Sequence, residues 1–334
     1  MTTTITPTIR TRKPTGTVPW PLILIEGPEK TGKTYAAAAL TASTKIGTTY
    51  WLDLGEGSAD EYGAIPGADY DIIEHDGSWA QIMQALTAVR VEADRAAAAG
   101  EPPIGLIIDS MTTEWDILKD WTTRRAAKSS SNQQALKRDP NAEVRVPMNL
   151  WNEATARHRK FMELLMTFPG PVVMTARGKE IAAVDTDGRP IPREKDYRVE
   201  GHKTLGFDAS VCIRLSRETA PMIVGARSLA VGVRPGVDKP RTIPDMTLEH
   251  IVFELLGCGK STQPRNIAVP KPELSVSQIR DRALELAKDG DKDGLQDLWR
   301  EAFSLHQLDE MTQDGSGDAT TVKKLIANLA NDIR

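Results

Sequence analysis

Glycine, lysine and threonine stand at a characteristic spacing near the start of the chain. Residues 27–34 read Gly-Pro-Glu-Lys-Thr-Gly-Lys-Thr, which fits the pattern G-x-x-x-x-G-K-[ST]. Glycines let such a loop curl until its backbone N–H groups point at phosphate oxygens, and a following helix adds its positive end. Lys33 would reach the β- and γ-phosphates, and the Thr34 hydroxyl would bind Mg²⁺. We therefore predict that ATP is held by Gly27, Pro28, Glu29, Lys30, Thr31, Gly32, Lys33, Thr34 and Tyr35.

A carboxylate with the position of a metal ligand follows a short apolar run. Residues 104–108 read Ile-Gly-Leu-Ile-Ile, and Asp109 comes next. The run predicts a buried strand with Asp109 at its carboxyl end, where the side chain would hold Mg²⁺ opposite Thr34. The alternative is that Asp109 only caps a helix that starts near Thr112.

Two more polar side chains come at the ends of predicted strands. Glu56 lies between two glycines after the strand-like run 47–54, where a carboxylate can orient the water that attacks a phosphate. Thr175 ends the apolar run 171–175 and could sense the γ-phosphate. The alternatives are a solvated acidic turn for Glu56 and simple strand preference for Thr175. Together with Lys33, these two residues are our catalytic candidates.

Basic residues are concentrated in two polar segments, 121–147 and 178–203, which we predict to be exposed loops. Charged loops rich in Ser, Asn and Gln suit the backbone of single-stranded DNA, although only Tyr197 could stack on a base. Ordinary solvated surface is the alternative. The candidate DNA-binding residues are Arg124, Arg125, Lys128, Lys137, Arg138, Arg189, Arg193 and Lys195.

The elements that must position these residues alternate along the chain. Continuous apolar runs separated by helical patterns predict an α/β fold whose mainly parallel sheet is covered on both faces. Three short amphipathic helices at the end of the chain predict a small helical bundle. The predicted organisation is a flexible arm (1–19), a nucleotide-binding core (20–258), a linker (259–273) and an acidic bundle (274–334).

The composition limits the partners. The 334 residues carry a net charge of −4, and residues 271–334 hold 9 Lys/Arg against 13 Asp/Glu, so any basic surface must be local. No apolar run reaches the ~18 residues of a membrane helix, so we expect no membrane partner and a cytoplasmic protein. Cys212 and Cys258 have no partner at metal-ligand spacing and are expected to be reduced thiols.

The order of these parts resembles the RecA-type core, and within it the short RecA-like phage ATPases of the Sak type, over residues 20–258. The loop matches that family's nucleotide loop, and the segment with Glu56 resembles its acidic segment once one extra residue is allowed. The strand before Asp109 looks like its Mg²⁺ strand, and Thr175 stands where the family has a Gln. Residues 203–211 resemble the strand that follows the second DNA-binding loop.

The resemblance implies a function. Segments 121–147 and 178–203 would take the two DNA-loop positions, and Arg227 would reach the nucleotide of a neighbouring subunit. The implied protein is an ATP- and Mg²⁺-dependent ATPase that binds single-stranded DNA in phage recombination or annealing. It would act in the bacterial cytoplasm as a ring or short filament, with a single-strand-binding or other replication protein as a further partner. The alternatives are a hexameric helicase or replication-loader motor, and a nucleotide-switched scaffold that recruits partners through its bundle.

Overall fold

The computed structural model describes residues 11–187, 189–229, 231, 237, 240–267, 274–304 and 307–333. The chain divides into two compact units, Met1–Ile267 and Ala268–Arg334. Residues 1–10 of the predicted arm and 268–273 of the predicted linker lie outside the described residues. Residues 11–20 form neither helix nor strand.

A nine-stranded sheet forms the centre of the first unit. Strands β1 to β5 and β7 run parallel in the order β3-β2-β4-β5-β1-β7, while β8 and β9 extend it antiparallel and β6 pairs with β5. This confirms the predicted α/β, RecA-like P-loop core. The strands are β1 Leu22–Gly27, β2 Thr49–Asp53, β3 Asp71–Ile72, β4 Gly105–Asp109, β5 Val172–Val184, β6 Pro190–Glu200, β7 Val211–Arg214, β8 Met222–Ala226 and β9 Arg241–Thr242.

Helices cover both faces of this sheet. In β1, Leu22 and Leu24 belong to one apolar cluster and Ile23 and Ile25 to another, as the alternation of strand side chains requires. Both faces are therefore buried, which is why the central strands are continuous apolar runs. The helices are α1 Lys33–Leu40, α2 Ala59–Tyr62, α3 Trp79–Ala99, α4 Met111–Ala127, α5 Ser130–Arg138, α6 Met148–Met166, α7 Leu205–Asp208 and a short π-helix, His250–Leu255.

The predicted loop 121–147 is largely helical, so that prediction was wrong. Nδ1 of His158 on α6 lies 3.0 Å from Oε2 of Glu114 near the start of α4. At the other end, the Asn132 amide donates to the carbonyls of Ala126 and Arg145, just before α6. Helices α4 and α6 therefore run antiparallel. Because α4 starts directly after β4 and α6 leads back to the start of β5, their shared tip lies beyond the carboxyl edge of the parallel sheet.

The predicted loop 178–203 is also wrong, because most of it is a β-hairpin. Strand β5 pairs with β1 only as far as Arg177 opposite Gly27, and from there pairs antiparallel with β6. The prolines in this segment had suggested a loop, but β6 is an edge strand among the described strands, and such a strand tolerates residues that lack an N–H. The hairpin therefore extends past the carboxyl edge of the sheet.

The second unit contains the three predicted helices and a short hairpin that was not predicted. Apolar side chains spaced three or four apart on each helix meet in one core, for example Ile279, Leu298 and Leu325. The elements are α8 Val276–Lys288, α9 Lys292–Ser304, β10 Met311–Gln313, β11 Ala319–Thr321 and α10 Val322–Asp332. Within the described ranges, none of the helices is both long and apolar enough to cross a membrane.

Candidate functional site

The loop between β1 and α1 is shaped by its two glycines. A Cβ at Gly27 would lie 2.6 Å from the carbonyl oxygen of Leu215, so no larger residue fits there. Gly32 has φ +89°, a conformation that side chains disfavour, and it caps the N-terminus of α1. Thr31 closes the loop by donating its hydroxyl to the carbonyl of Pro28 at 3.0 Å. The backbone therefore curls around the start of α1, as a phosphate-binding loop must.

The ammonium group of Lys33 lies inside this loop. Its Nζ donates to the carbonyls of Gly27 (2.9 Å) and Pro28 (2.6 Å). Burial lowers the pKa of Lys33, while the carboxylates of Asp109 and Glu56 counteract that shift. The side chain is thus held where an anion entering the loop would meet it, between the loop and two acids.

Asp109 lies at the carboxyl end of β4, fully buried beside two threonines. Its Oδ1 accepts a hydrogen bond from the hydroxyl of Thr175, and Oδ2 has no partner among the described residues. Burial raises the pKa of Asp109, and the hydroxyls of Thr175 and Thr34 lower it. An unpartnered buried carboxylate oxygen near the Thr34 hydroxyl fits Mg²⁺, which takes few protein ligands and keeps several waters. Nowhere in the described part of the chain do three His, Cys, Asp or Glu side chains form a metal-binding group.

Thr175 is buried completely, and its hydroxyl is bound to Asp109. In this position it orients the carboxylate that would face the metal. Direct contact between Thr175 and a γ-phosphate stays a prediction.

Glu56 is presented by a turn that Asp53 builds. The Oδ1 atom of Asp53 accepts the N–H groups of Gly55, Glu56 and Gly57 at 2.8–3.1 Å. That carboxylate is therefore engaged in the turn itself. The Glu56 side chain instead projects towards the end of β4, where its Oε1 accepts the Ser110 hydroxyl at 3.1 Å. Of the two acids, Glu56 is the one placed to act on a water.

Arg177 joins this group of residues, and the sequence reasoning had assigned it no role. Its Nη2 donates to Oε1 of Glu56 at 2.8 Å, and its side chain is half exposed. Arg177 lies two residues beyond Thr175, at the point where β5 leaves the sheet. A charged residue directly after a buried strand, on the same edge as the loop, was the signal that could have revealed it.

A comparison with known protein families shows which family the chain belongs to. Residues 21–205, more than half of its length, match a family described as an AAA domain. The chain belongs to the AAA domain family. With its nucleotide loop, it is a P-loop ATPase of RecA-like fold. A search of curated proteins finds no match.

Two solved structures match part of the chain at low sequence identity. An ATPase from the type III secretion system of pathogenic bacteria is 15% identical with a TM-score of 0.36, and the match covers 59% of this chain and 52% of that one. The RadB recombinase is 13% identical with a TM-score of 0.34, and the match covers 64% and 84%. The chain thus spans about half the length of the secretion ATPase.

Two groups of candidate DNA-binding residues lie on the same edge of the sheet as the nucleotide loop, one in a segment with six Lys/Arg against two Asp/Glu (121–147) and one in a segment with six of each (178–203). The first is the tip of the α4–α6 pair, and the second is the β5–β6 hairpin beyond Arg177. Lys195 belongs to β6, where it pairs with Ala182. The exposed members are Arg124, Arg125, Lys128, Lys137, Arg138, Arg189 and Arg193.

Arg227, which lies outside the matched AAA domain, is at the opposite edge of the sheet. Ala226 pairs with Val211, which in turn pairs with Ile23 near the amino end of β1. Arg227 follows Ala226, and its guanidinium donates to the carbonyl of Phe207. Arg227 is therefore separated from the nucleotide loop of its own chain by most of the length of β1, and its action on a neighbouring subunit stays a prediction.

Proposed function

We propose that this AAA-domain protein is an ATP- and Mg²⁺-dependent ATPase that binds single-stranded DNA in recombination or single-strand annealing. The observation that carries the proposal is that the nucleotide loop, the basic tip of the α4–α6 pair and the β5–β6 hairpin share one edge of the sheet. A nucleotide-dependent change at this edge would act directly on the residues that face DNA. Its setting would be the cytoplasm of a phage-infected bacterial cell, with several copies in a ring or short filament.

The chemistry follows from the residues around the loop. Lys33 would bind the β- and γ-phosphates, and Thr34 with Asp109 would hold Mg²⁺ against their oxygens. The oxygen of a water bonds to the γ-phosphorus as the bond to the β–γ bridging oxygen breaks, giving ADP and phosphate. Glu56 would accept the proton of that water. Mg²⁺ supplies charge neutralisation for the leaving phosphate.

Arg177 would regulate Glu56 in this scheme. In the ion pair, Oε1 of the Glu56 carboxylate already accepts a hydrogen bond from Arg177 and is engaged away from a water. If Arg177 turns to γ-phosphate oxygens, it stabilises the charge that develops there and releases Glu56 for the water. Because the β5–β6 hairpin begins at Arg177, such a movement of its side chain would make the hairpin respond to the bound nucleotide.

DNA binding in this proposal rests on phosphate contacts. The only aromatic residue of the hairpin, Tyr197, has the Arg214 guanidinium over its ring, with the guanidinium carbon 3.7 Å from the ring centroid. A role for Tyr197 in base stacking is therefore not supported. Charge without stacking favours binding that is sensitive to salt and nearly independent of sequence.

The test is DNA binding at fixed salt in three nucleotide states. A fluorescently labelled oligo(dT) is titrated with protein alone, with ADP and with a non-hydrolysable ATP analogue, each with Mg²⁺. The proposal predicts the tightest binding with the analogue, and that Lys33→Ala removes the difference. Equal affinity in all three states would contradict it. Unwinding of a tailed duplex would instead favour the helicase alternative.

A further inference from the structure

Glu26 stands one position before the nucleotide loop and has no part in the chemistry above. Its side chain is 2% exposed, and Oε1 accepts a hydrogen bond of 2.8 Å from Nε of Arg214 on β7. Oε2 has no partner among the described residues. A buried carboxylate is costly unless a cation accompanies it. The contact with Arg214 is therefore one that the folded protein must keep.

Arg214 also contacts the β5–β6 hairpin. Its guanidinium lies over the ring of Tyr197 on β6, a cation–π arrangement. Burial raises the pKa of Tyr197 to about 12, so the ring stays neutral at physiological pH. Gly178 on β5 leaves room for the hydroxyl, since a Cβ there would lie 2.3 Å from it. One side chain thus touches both the strand that feeds the nucleotide loop and the hairpin.

We propose that Arg214 is a positioning residue that couples the nucleotide state of loop 27–34 to the β5–β6 hairpin through the contacts Glu26–Arg214–Tyr197. The proposal rests on the proposed function for one point, that the loop binds ATP. It does not require that the hairpin binds DNA.

The ends of β1 and β7 have little freedom to move independently. The N–H of Leu215 donates to the carbonyl of Glu26 at 2.8 Å. The Leu215 carbonyl oxygen packs so closely against Gly27 that a Cβ at Gly27 would lie 2.6 Å from it. Lys33 donates hydrogen bonds to the carbonyls of Gly27 and Pro28, and these bonds must break before its ammonium group can reach a phosphate. That exchange changes the backbone next to Glu26. Because Glu26 is tied to Arg214, the shift is passed to the Tyr197 ring and the hairpin.

Limited digestion with trypsin measures the state of the hairpin directly. Cleavage is expected after Arg193, which is exposed, and after Lys195, whereas Arg189 precedes a proline and resists the protease. Cut sites are assigned by mass spectrometry, with no nucleotide, with saturating ADP and with a saturating non-hydrolysable ATP analogue. We expect the analogue to change the rate of these two cuts by about fivefold or more, the lower end of measured coupling between sites.

Three variants decide whether Arg214 carries the effect. Arg214→Lys loses the planar face, and Tyr197→Leu loses the ring, so both should abolish the change in rate. Tyr197→Phe keeps the ring and should behave as wild type. If Arg214→Lys fails to fold by circular dichroism, the two Tyr197 variants decide alone.

Each result has a definite meaning. An unchanged nucleotide effect in Tyr197→Leu, or no effect in a wild-type protein that binds the analogue, would overturn the coupling alone. Binding is measured separately by calorimetry. A wild-type protein that does not bind the analogue would overturn the proposed function, and the coupling with it.

Discussion

The guanidinium of Arg177 and the carboxylate of Glu56 form an ion pair of 2.8 Å that joins the end of β5 to the turn after β2. The two residues are 121 positions apart, and they meet because β2 and β5 lie on either side of β4. The pair brings the candidate base, and a cation bound to it, to the start of the β5–β6 hairpin.

Replacing Arg177 should impair turnover more than nucleotide binding. If Arg177 stabilises charge only in the transition state, Arg177→Ala lowers kcat by about 100-fold or more and leaves the KM for ATP nearly unchanged. Steady-state ATP hydrolysis measures both. Lys179→Ala is the matched control, since Lys179 is a nearby exposed cation paired with Glu200. Equal losses in the two variants would remove the special role of Arg177.

Glu56→Gln should keep ATP affinity and lose about 100-fold or more in turnover, because an amide cannot take the proton of the water. Asp53→Asn serves as the comparison, since its side-chain oxygen can still accept the three N–H groups of the turn. Single-turnover hydrolysis of labelled ATP separates the chemical step from binding. A dispensable Glu56 with an essential Asp53 would show that the wrong acid was assigned.

The basic tip of the α4–α6 pair should contribute salt-dependent affinity for DNA. Neutralising Arg124, Arg125 and Lys128 together should weaken binding to oligo(dT) and flatten the slope of log affinity against log salt, by about 0.7 for each phosphate that the protein no longer neutralises. Lys119→Gln on the same helix is the control, because that ammonium already lies 2.5 Å from Asp116. An unchanged slope in the triple variant would leave the hairpin as the remaining DNA surface.

His202 should make the protein less stable in mild acid. Its ring is tilted by 33° against that of His158 with the centroids 4.2 Å apart, and burial lowers its pKa from 6.5 to about 4. Between these two values the unfolded chain binds more protons than the folded one, so the His202 contribution to the free energy of unfolding falls as pH is lowered from 6.5 towards 4. Urea unfolding at several pH values should show that His202→Gln is less sensitive to acid in this window. Equal sensitivity would contradict the assignment.

Local spacing predicted the parts of the site that lie close together in sequence. The nucleotide loop and Asp109 are set by a few neighbouring residues, and their strands are buried on both faces. The contact between Glu56 and Arg177 could not be predicted, because it depends on the order of strands across the sheet. The prediction that Arg227 reaches the nucleotide of a neighbouring subunit stays a prediction, since β8 turns back and leaves Arg227 away from the nucleotide loop of its own chain.

The two basic segments were misread for physical reasons that the structure makes plain. Ser129 had looked like part of a loop, but its side chain accepts the N–H of Asn132 and caps α5. Near its end, helix α4 buries only the small side chains of Thr122 and Ala126, so it lacks a wide apolar stripe there. In the hairpin, the prolines belong to β6, which among the described strands pairs with β5 alone and is therefore an edge strand.

The most direct test of the account is ATP hydrolysis with and without single-stranded DNA, in the wild-type protein and in Lys33→Ala. Lys33 is a charge donor to phosphate and not part of the apolar core, so the variant should fold and fail to hydrolyse ATP. The account predicts Mg²⁺-dependent turnover in the wild type that rises when oligo(dT) is added, and none in Lys33→Ala under either condition. Wild-type turnover in a folded Lys33→Ala protein would contradict the nucleotide site itself.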